Sequence, residues 1–182
     1  MRIWRGIAGA GIALSLMSGA AVAADAIVVP VATEAEVPLY DDDTVFDWNG
    51  FYAGVYGVGQ MSPVGGAQFG LGLDLGFNAQ FDYFLIGGEV ALHGLTGGTV
   101  DTVYGQVIGR AGVVITDEVL LYAAAGYGND FGAPVEDDFL LGGGAELAVT
   151  DNVSLRAQYL HGFPISGGNP KEQVTLGAQF HF

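Results

Sequence analysis

The chain has 182 residues, a length suited to one domain, and no cysteine, so disulfides and thiolate metal sites are excluded. Twenty acidic residues against five basic ones argue against nucleic acid as a partner. Half of the residues are hydrophobic and 31 are glycine, yet no internal run of ~18 apolar residues marks a membrane helix; this is the composition of a barrel whose apolar face points to lipid.

The first 23 residues read as a secretory signal peptide. Arg2 and Arg5 form a basic start, Ile7 to Met17 a short apolar core, and Ala21-Val22-Ala23 a small-x-small cleavage site. Cleavage after Ala23 leaves three basic residues against all twenty acids. Residues 24–47 then read as an acidic linker. Pro30, Pro38, Glu34, Glu36 and Asp41-Asp42-Asp43 oppose a packed structure, and fully extended the segment reaches on the order of 80 Å at ~3.3 Å per residue. The aspartate run is read as solvated charge rather than a cation site.

Residues 48–182 carry the pattern of eight antiparallel strands. The first opens at Trp48-Asn-Gly-Phe-Tyr-Ala-Gly; aromatic residues fall on both of its faces, so either phase fits. The second alternates cleanly, with Phe69, Leu71, Leu73, Leu75 and Phe77 on one face and Gln68, Gly70, Gly72, Asp74 and Gly76 on the other. The third runs from about Tyr83 to His93 and the fourth from Val103 to Ile115. The fifth covers Val119 to Gly128, its phase also open. The sixth covers Phe139 to Val149 and the seventh Val153 to Phe163. In the eighth, Val174, Leu176, Ala178, Phe180 and Phe182 alternate with Gln173, Thr175, Gly177, Gln179 and His181. A tilted strand of ~9–11 residues spans a bilayer.

Connections near residues 80, 117 and 151 are tight; those at about 60–67, 94–102, 129–138 and 162–171 are longer and rich in Gly or Pro. An up-and-down membrane barrel has this asymmetry, with both termini on the short-turn, periplasmic side. Trp48, Phe51, Tyr52, Phe77, Phe81, Tyr83, Phe84, Phe180 and Phe182 fall at one expected end, and Tyr104, Tyr127, Phe139 and Phe163 at the other. Two aromatic girdles are expected from this sorting.

The stretches Trp48-Asn-Gly-Phe-Tyr-Ala-Gly, Thr116-Asp-Glu-Val-Leu-Leu-Tyr-Ala and Thr150-Asp-Asn-Val-Ser-Leu-Arg-Ala-Gln-Tyr resemble the small outer-membrane β-barrel proteins of alphaproteobacteria, often labelled porin-family or OmpA-like barrels. The resemblance covers the whole expected barrel. It implies a terminal insertion signal, Phe180 and Phe182, read by the barrel assembly machinery. Some barrels of this family are joined to peptidoglycan through a mature N-terminal Ala followed by Asp, a pattern matched by Ala24-Asp25. The α-amine of Ala24 would be the nucleophile, offered to a separate transpeptidase. The expectation is a departure from the two-domain OmpA pattern, without a separate peptidoglycan-binding domain after the barrel.

Alternation sends Asp74, Glu89, Arg110, Glu146 and Arg156 into the lumen at a similar height, in the periplasmic half. With Thr150-Asp151-Asn152 as a three-residue turn, Glu146 is expected directly opposite Arg156, and Glu89 can face Arg110. An eight-stranded interior is just wide enough for side chains to fill it, while wide pores need 16 or more strands. The five groups are therefore read as an ion-pair layer plugging the barrel, with a gate that opens a narrow path as the alternative.

Other chemistry finds little support. Lipid A hydrolases on small barrels use a Ser–His–acid arrangement, for which His161, Ser166 and Glu172 are candidates, but the His-x-Ser-Asn-type motif is absent. His93, His161 and His181 lack paired-ligand spacing, so no metal is expected. The runs Gly54-x-x-Gly57-x-Gly59 and Gly142-Gly143-Gly144 lack a following Gly-Lys-Ser/Thr and read as tight packing or strand bends. Asp130, Glu136, Asp137 and Asp138 read as a solvated acidic loop.

The expectation is a monomeric, non-enzymatic outer-membrane barrel without a cofactor, supporting envelope integrity and tethered to peptidoglycan. Its other partners are outer-membrane lipid, lipopolysaccharide and the assembly machinery. A narrow gated pore is the alternative function, a lipid A-modifying enzyme a weaker one, and a soluble lipocalin-type barrel or a surface adhesin further ones.

Overall fold

The computed structural model describes residues 46–98, 101–132, 136–166 and 168–182. The expected signal peptide, most of the expected linker, and Ala24 and Asp25 lie outside the described residues.

Eight strands close into one barrel in sequence order: β1 Gly50–Ser62, β2 Gly66–Phe81, β3 Phe84–Thr96, β4 Thr102–Thr116, β5 Val119–Asp130, β6 Glu136–Thr150, β7 Val153–Pro164 and β8 Lys171–His181. Every neighbouring pair is antiparallel, including the closing pair β1–β8, where Ala53 stands opposite Phe180. The connections at one end are two residues long. Phe81 pairs with Phe84 across Asp82-Tyr83, with Asp82 at a positive φ of 52° that an aspartate tolerates better than most side chains. Thr116 pairs with Val119, and Thr150 with Val153, each beside a shift in register that lets the strand bend. At the other end the strands run further than the glycine and proline content predicts. Only residues 63–65, 97–101, 131–135 and 165–170 lie between them.

Period-two alternation decides what each face meets. Phe69, Leu71, Leu73, Leu75 and Phe77 of β2 point outward and are at least half exposed, as are Val174, Leu176 and Phe180 of β8. Gln68, Asp74, Asn78, Gln173, Thr175, Gln179 and His181 point inward and are buried. An apolar exterior around a polar core inverts the arrangement of a soluble protein and suits a bilayer. The two open phases close accordingly. Tyr52, Tyr56, Val58 and Gln60 of β1 face the lumen, as do Leu120, Tyr122 and Ala124 of β5.

Three aromatics expected in the girdles are instead inside. Trp48, Tyr52 and Tyr104 are fully or almost fully buried. Parity requires this of the tyrosines: Phe51 takes an outward position, so Tyr52 turns in, and Tyr104 shares the phase of the inward Ile108 and Arg110. The remaining aromatics do form two outward bands. Phe51, Phe77, Phe81, Tyr83, Phe84, Phe180 and Phe182 lie at the short-turn end, and Tyr127, Phe139 and Phe163 at the loop end.

Glycine makes room for the inward tyrosines. Tyr56 pairs with Gly72 and Tyr52 with Gly76. A Cβ at Gly72 would run into the ring and hydroxyl of Tyr56, and one at Gly76 into those of Tyr52. Each ring occupies the space that the glycine leaves bare. Gly76→Leu is expected to destabilise the refolded barrel by about 1–3 kcal/mol through overpacking, read from urea denaturation in detergent. The same change at Gly57, whose Cβ would meet nothing closer than 3.9 Å, is expected to be mild.

Candidate functional site

The inward charges of β2, β3, β4, β6 and β7 converge into one buried layer. Glu146 sits at its centre, opposite Arg156 in register. Its Oε1 accepts from Arg110 Nη1 at 2.5 Å and from Arg156 Nε at 2.8 Å, and its Oε2 accepts from Ser154 Oγ at 3.3 Å. Arg156 Nη1 donates to Glu89 Oε2 at 2.5 Å and lies 3.7 Å from Asp74 Oδ2. Asp74 Oδ2 also accepts from Gln179 Nε2 at 3.2 Å. All five predicted side chains are thus brought together.

One expected pairing differs. Glu89 does not meet Arg110, because Arg110 stands opposite Gly87 rather than Glu89. Arg110 instead donates through Nε and Nη2 to Asn78 Oδ1, and Glu89 serves Arg156.

Tyr52 organises the layer from below. Its hydroxyl donates to Glu89 Oε2 at 2.7 Å, and its ring lies 4.5 Å from the Arg110 guanidinium and 5.2 Å from that of Arg156. Cation–π contact of this kind gains strength where water is excluded. Tyr122 holds the other side, its ring 5.2 Å from Arg110 and its hydroxyl donating to Gln158. Tyr52, Asn78, Tyr122, Ser154 and Gln179 join this layer beyond the five residues expected. Their shared inward parity with the charges was the available signal.

Toward the short-turn end the lumen is sealed by residues that precede β1. Phe46 and Trp48 are 5 % and 0 % exposed, their rings 4.5 Å apart, and both pack on His181 at 4.9 and 5.7 Å. Trp48 Nε1 donates to the carbonyl of Asp117, in the β4–β5 turn. Phe46 falls within the expected linker but belongs physically to the barrel core.

Toward the loop end, a second polar group fills the lumen. His93 Nδ1 meets Tyr56 Oη at 3.0 Å, and its ring stacks on Tyr104. The chain's one lysine, Lys171, is buried and donates to Asp138 Oδ2 at 2.7 Å and Glu136 Oε2 at 3.1 Å. The expected acidic loop is therefore dispersed. Asp138 is fully buried, Asp137 accepts from Tyr127 and Asn129, and Asp130 accepts from Thr102. These residues belong to the ends of β5 and β6, which continue their alternation to the rim.

The hydrolase candidates do not assemble. His161 Nδ1 meets Glu172 Oε1 at 2.8 Å on the outward face, and Glu172 also accepts from Tyr159. Ser166 instead engages Asp137, accepting from its backbone N at 3.1 Å, and the ring beside His161 is that of Phe163. A hydroxyl nucleophile needs direct reach of the base, and Ser166 is committed elsewhere.

No family model and no curated protein matches the chain. Solved structures do. The crystal structure of Ail, the attachment invasion locus protein of Yersinia pestis, aligns at 17 % identity with a TM-score of 0.57, covering 74 % of this chain and 99 % of that one. Neisserial surface protein A aligns at 14 % identity and a TM-score of 0.52, covering 72 % and 97 %. The N-terminal β-barrel domain of Pseudomonas aeruginosa OprF aligns at 12 % identity and 0.50, covering 71 % and 97 %. The fold is that of the small outer-membrane β-barrels. Ail has also been solved with the heparin analogue sucrose octasulfate. At these identities the likeness concerns the barrel and does not carry over residues of the lumen.

Proposed function

We propose that the chain is a structural barrel of the bacterial outer membrane that supports envelope integrity, with its short-turn end in the periplasm and its N-terminal segment tethering it to peptidoglycan. The observation that carries this reading is the filled lumen. Five charged side chains, the tyrosines beside them and the Phe46–Trp48 seal occupy the interior from the short-turn end to its middle. A narrow gated pore would need that layer to part, and each pairing broken would leave a buried charge without its partner. Phe180 and Phe182 serve as the insertion signal, and outer-leaflet lipid covers the apolar band.

Binding of sulfated glycans, suggested by the Ail complex, has no counterpart here. The only arginine and lysine side chains of the described residues are Arg110, Arg156 and Lys171, and all three are buried.

The test is chemical. Purified sacculi are boiled in detergent, opened with muramidase and cut after Glu34. Mass spectrometry is expected to find the Ala24–Glu34 peptide carrying a peptidoglycan fragment. A free Ala24 amine throughout would remove the tether and leave a barrel with a plain linker. Planar bilayers containing the refolded protein are expected to stay silent; steps of conductance altered by Glu146→Gln would establish the pore instead.

A further inference from the structure

A small cavity lies between the charged layer and the polar group around His93. Tyr56, Asp74, Glu89, Gln106, Arg156 and Thr175 are among the residues lining it, and it offers about 10 Å³ to the centre of a water-sized sphere. That is about the room one water needs. Three of its lining side chains each carry one buried polar atom with no partner in the protein: Asp74 Oδ1, Gln106 Oε1 and Arg156 Nη2. These residues are 6 %, 5 % and 5 % exposed, so bulk solvent does not serve them, and an unserved buried polar atom is costly.

Two acceptors and one donor are what a single water satisfies, donating twice and accepting once. The charges favour the same occupant. Asp74, Glu89 and Glu146 face only Arg110 and Arg156 across the layer, so Asp74 is the carboxylate least served by a cation. A water directs both of its protons toward acceptors there. A monovalent cation would suit Asp74 and Gln106 but would face the Arg156 guanidinium and give Nη2 nothing to donate to.

We propose that this cavity is a binding site for one structural water, held by Asp74 Oδ1, Gln106 Oε1 and Arg156 Nη2. The cavity lies between the two polar halves of the lumen. On one side stands the chain His181–Ser154–Glu146–Arg156. On the other, Tyr56 lines the cavity and carries the contact on to His93 and Gln173.

The full chain, refolded and crystallised from sodium and then from rubidium salts, tests the site. The expected result is one peak at about 2.6–3.2 Å from all three atoms, with no anomalous signal in rubidium, and lost in Gln106→Leu. A peak that acquires rubidium signal would make the site a cation site and overturn the proposal. Direct pairing of Asp74 with Arg156 Nη2, with no peak between them, would overturn it as well. The wild-type comparison decides the matter even if the leucine variant fails to refold.

Discussion

Replacing Glu146 by Gln is expected to destabilise the folded barrel by about 3–5 kcal/mol, the range for removing one partner of a buried ion pair. The size follows from position. Glu146 is 1 % exposed and one of its oxygens accepts from both guanidinium groups. Without that charge, Arg110 keeps Asn78 as its polar partner, and Arg156 keeps Glu89 and the more distant Asp74. Arg110 is therefore left as a buried cation with no carboxylate of its own. Urea titration of protein refolded into lipid vesicles reads the loss, and a change below about 1 kcal/mol, the scale of an exposed pair, would show the layer to be hydrated and weak. A second variant separates charge from packing. Removing Arg110 together with Glu146, as Arg110→Met with Glu146→Leu, is expected to recover part of the stability, because well-packed apolar groups replace buried pairs at little cost. Outward substitutions of similar size, such as Leu73→Ala on the lipid side, lack any such recovery partner.

Most of the barrel was legible because its two faces meet different surroundings. Strands β2 and β8 alternate without interruption, so parity alone placed Asp74 and His181 inside and Phe77 and Phe180 outside. A three-residue turn at Thr150-Asp151-Asn152 predicts Glu146 against Arg156; the structure reaches the same pairing with a two-residue turn and a register shift between Ala148 and Thr150. Parity was less informative where apolar residues occupy both faces. Tyr52 reads as a girdle residue by type, yet it lies inside because its phase is set by Phe51 and its ring rests on Gly76. Glu89 shows a second limit. Alternation places it in the lumen, but its choice of Arg156 over Arg110 depends on strand stagger across the barrel, which no local pattern encodes. Lys171 and Asp138 show a third. Charged residues near glycine and proline resemble loop, whereas the barrel carries its inward polar phase to the rim. None of this alternation extends to Phe46, whose burial arises from a segment that folds back rather than from a strand.

That segment carries the second large effect. Phe46→Ala is expected to unseat Trp48, since the two rings pack at 4.5 Å and both lie against His181. Truncating a buried aromatic costs about 3–5 kcal/mol when the site cannot collapse. Here part of that loss should appear as local opening, because the segment is tied to the barrel by the hydrogen bonds from Trp48 Nε1 to the Asp117 carbonyl and from Gln80 N to Asn49 Oδ1 together with packing. Trp48 is its own reporter: of the two tryptophans, the other is Trp4, which the expected signal peptide carries away. In the refolded wild type its fluorescence should be blue-shifted and resistant to acrylamide; in Phe46→Ala it should shift red and become quenchable. Phe51→Ala, on the exposed outer face five residues further on, should leave the quenching unchanged. Equal quenching in wild type and Phe46→Ala would mean that Trp48 is held by the barrel wall alone. A red shift confined to Phe46→Ala would make residues 46–48 the stopper of the short-turn mouth. Any pull on the N-terminal segment would then reach the ring around His181 before it reached the first strand.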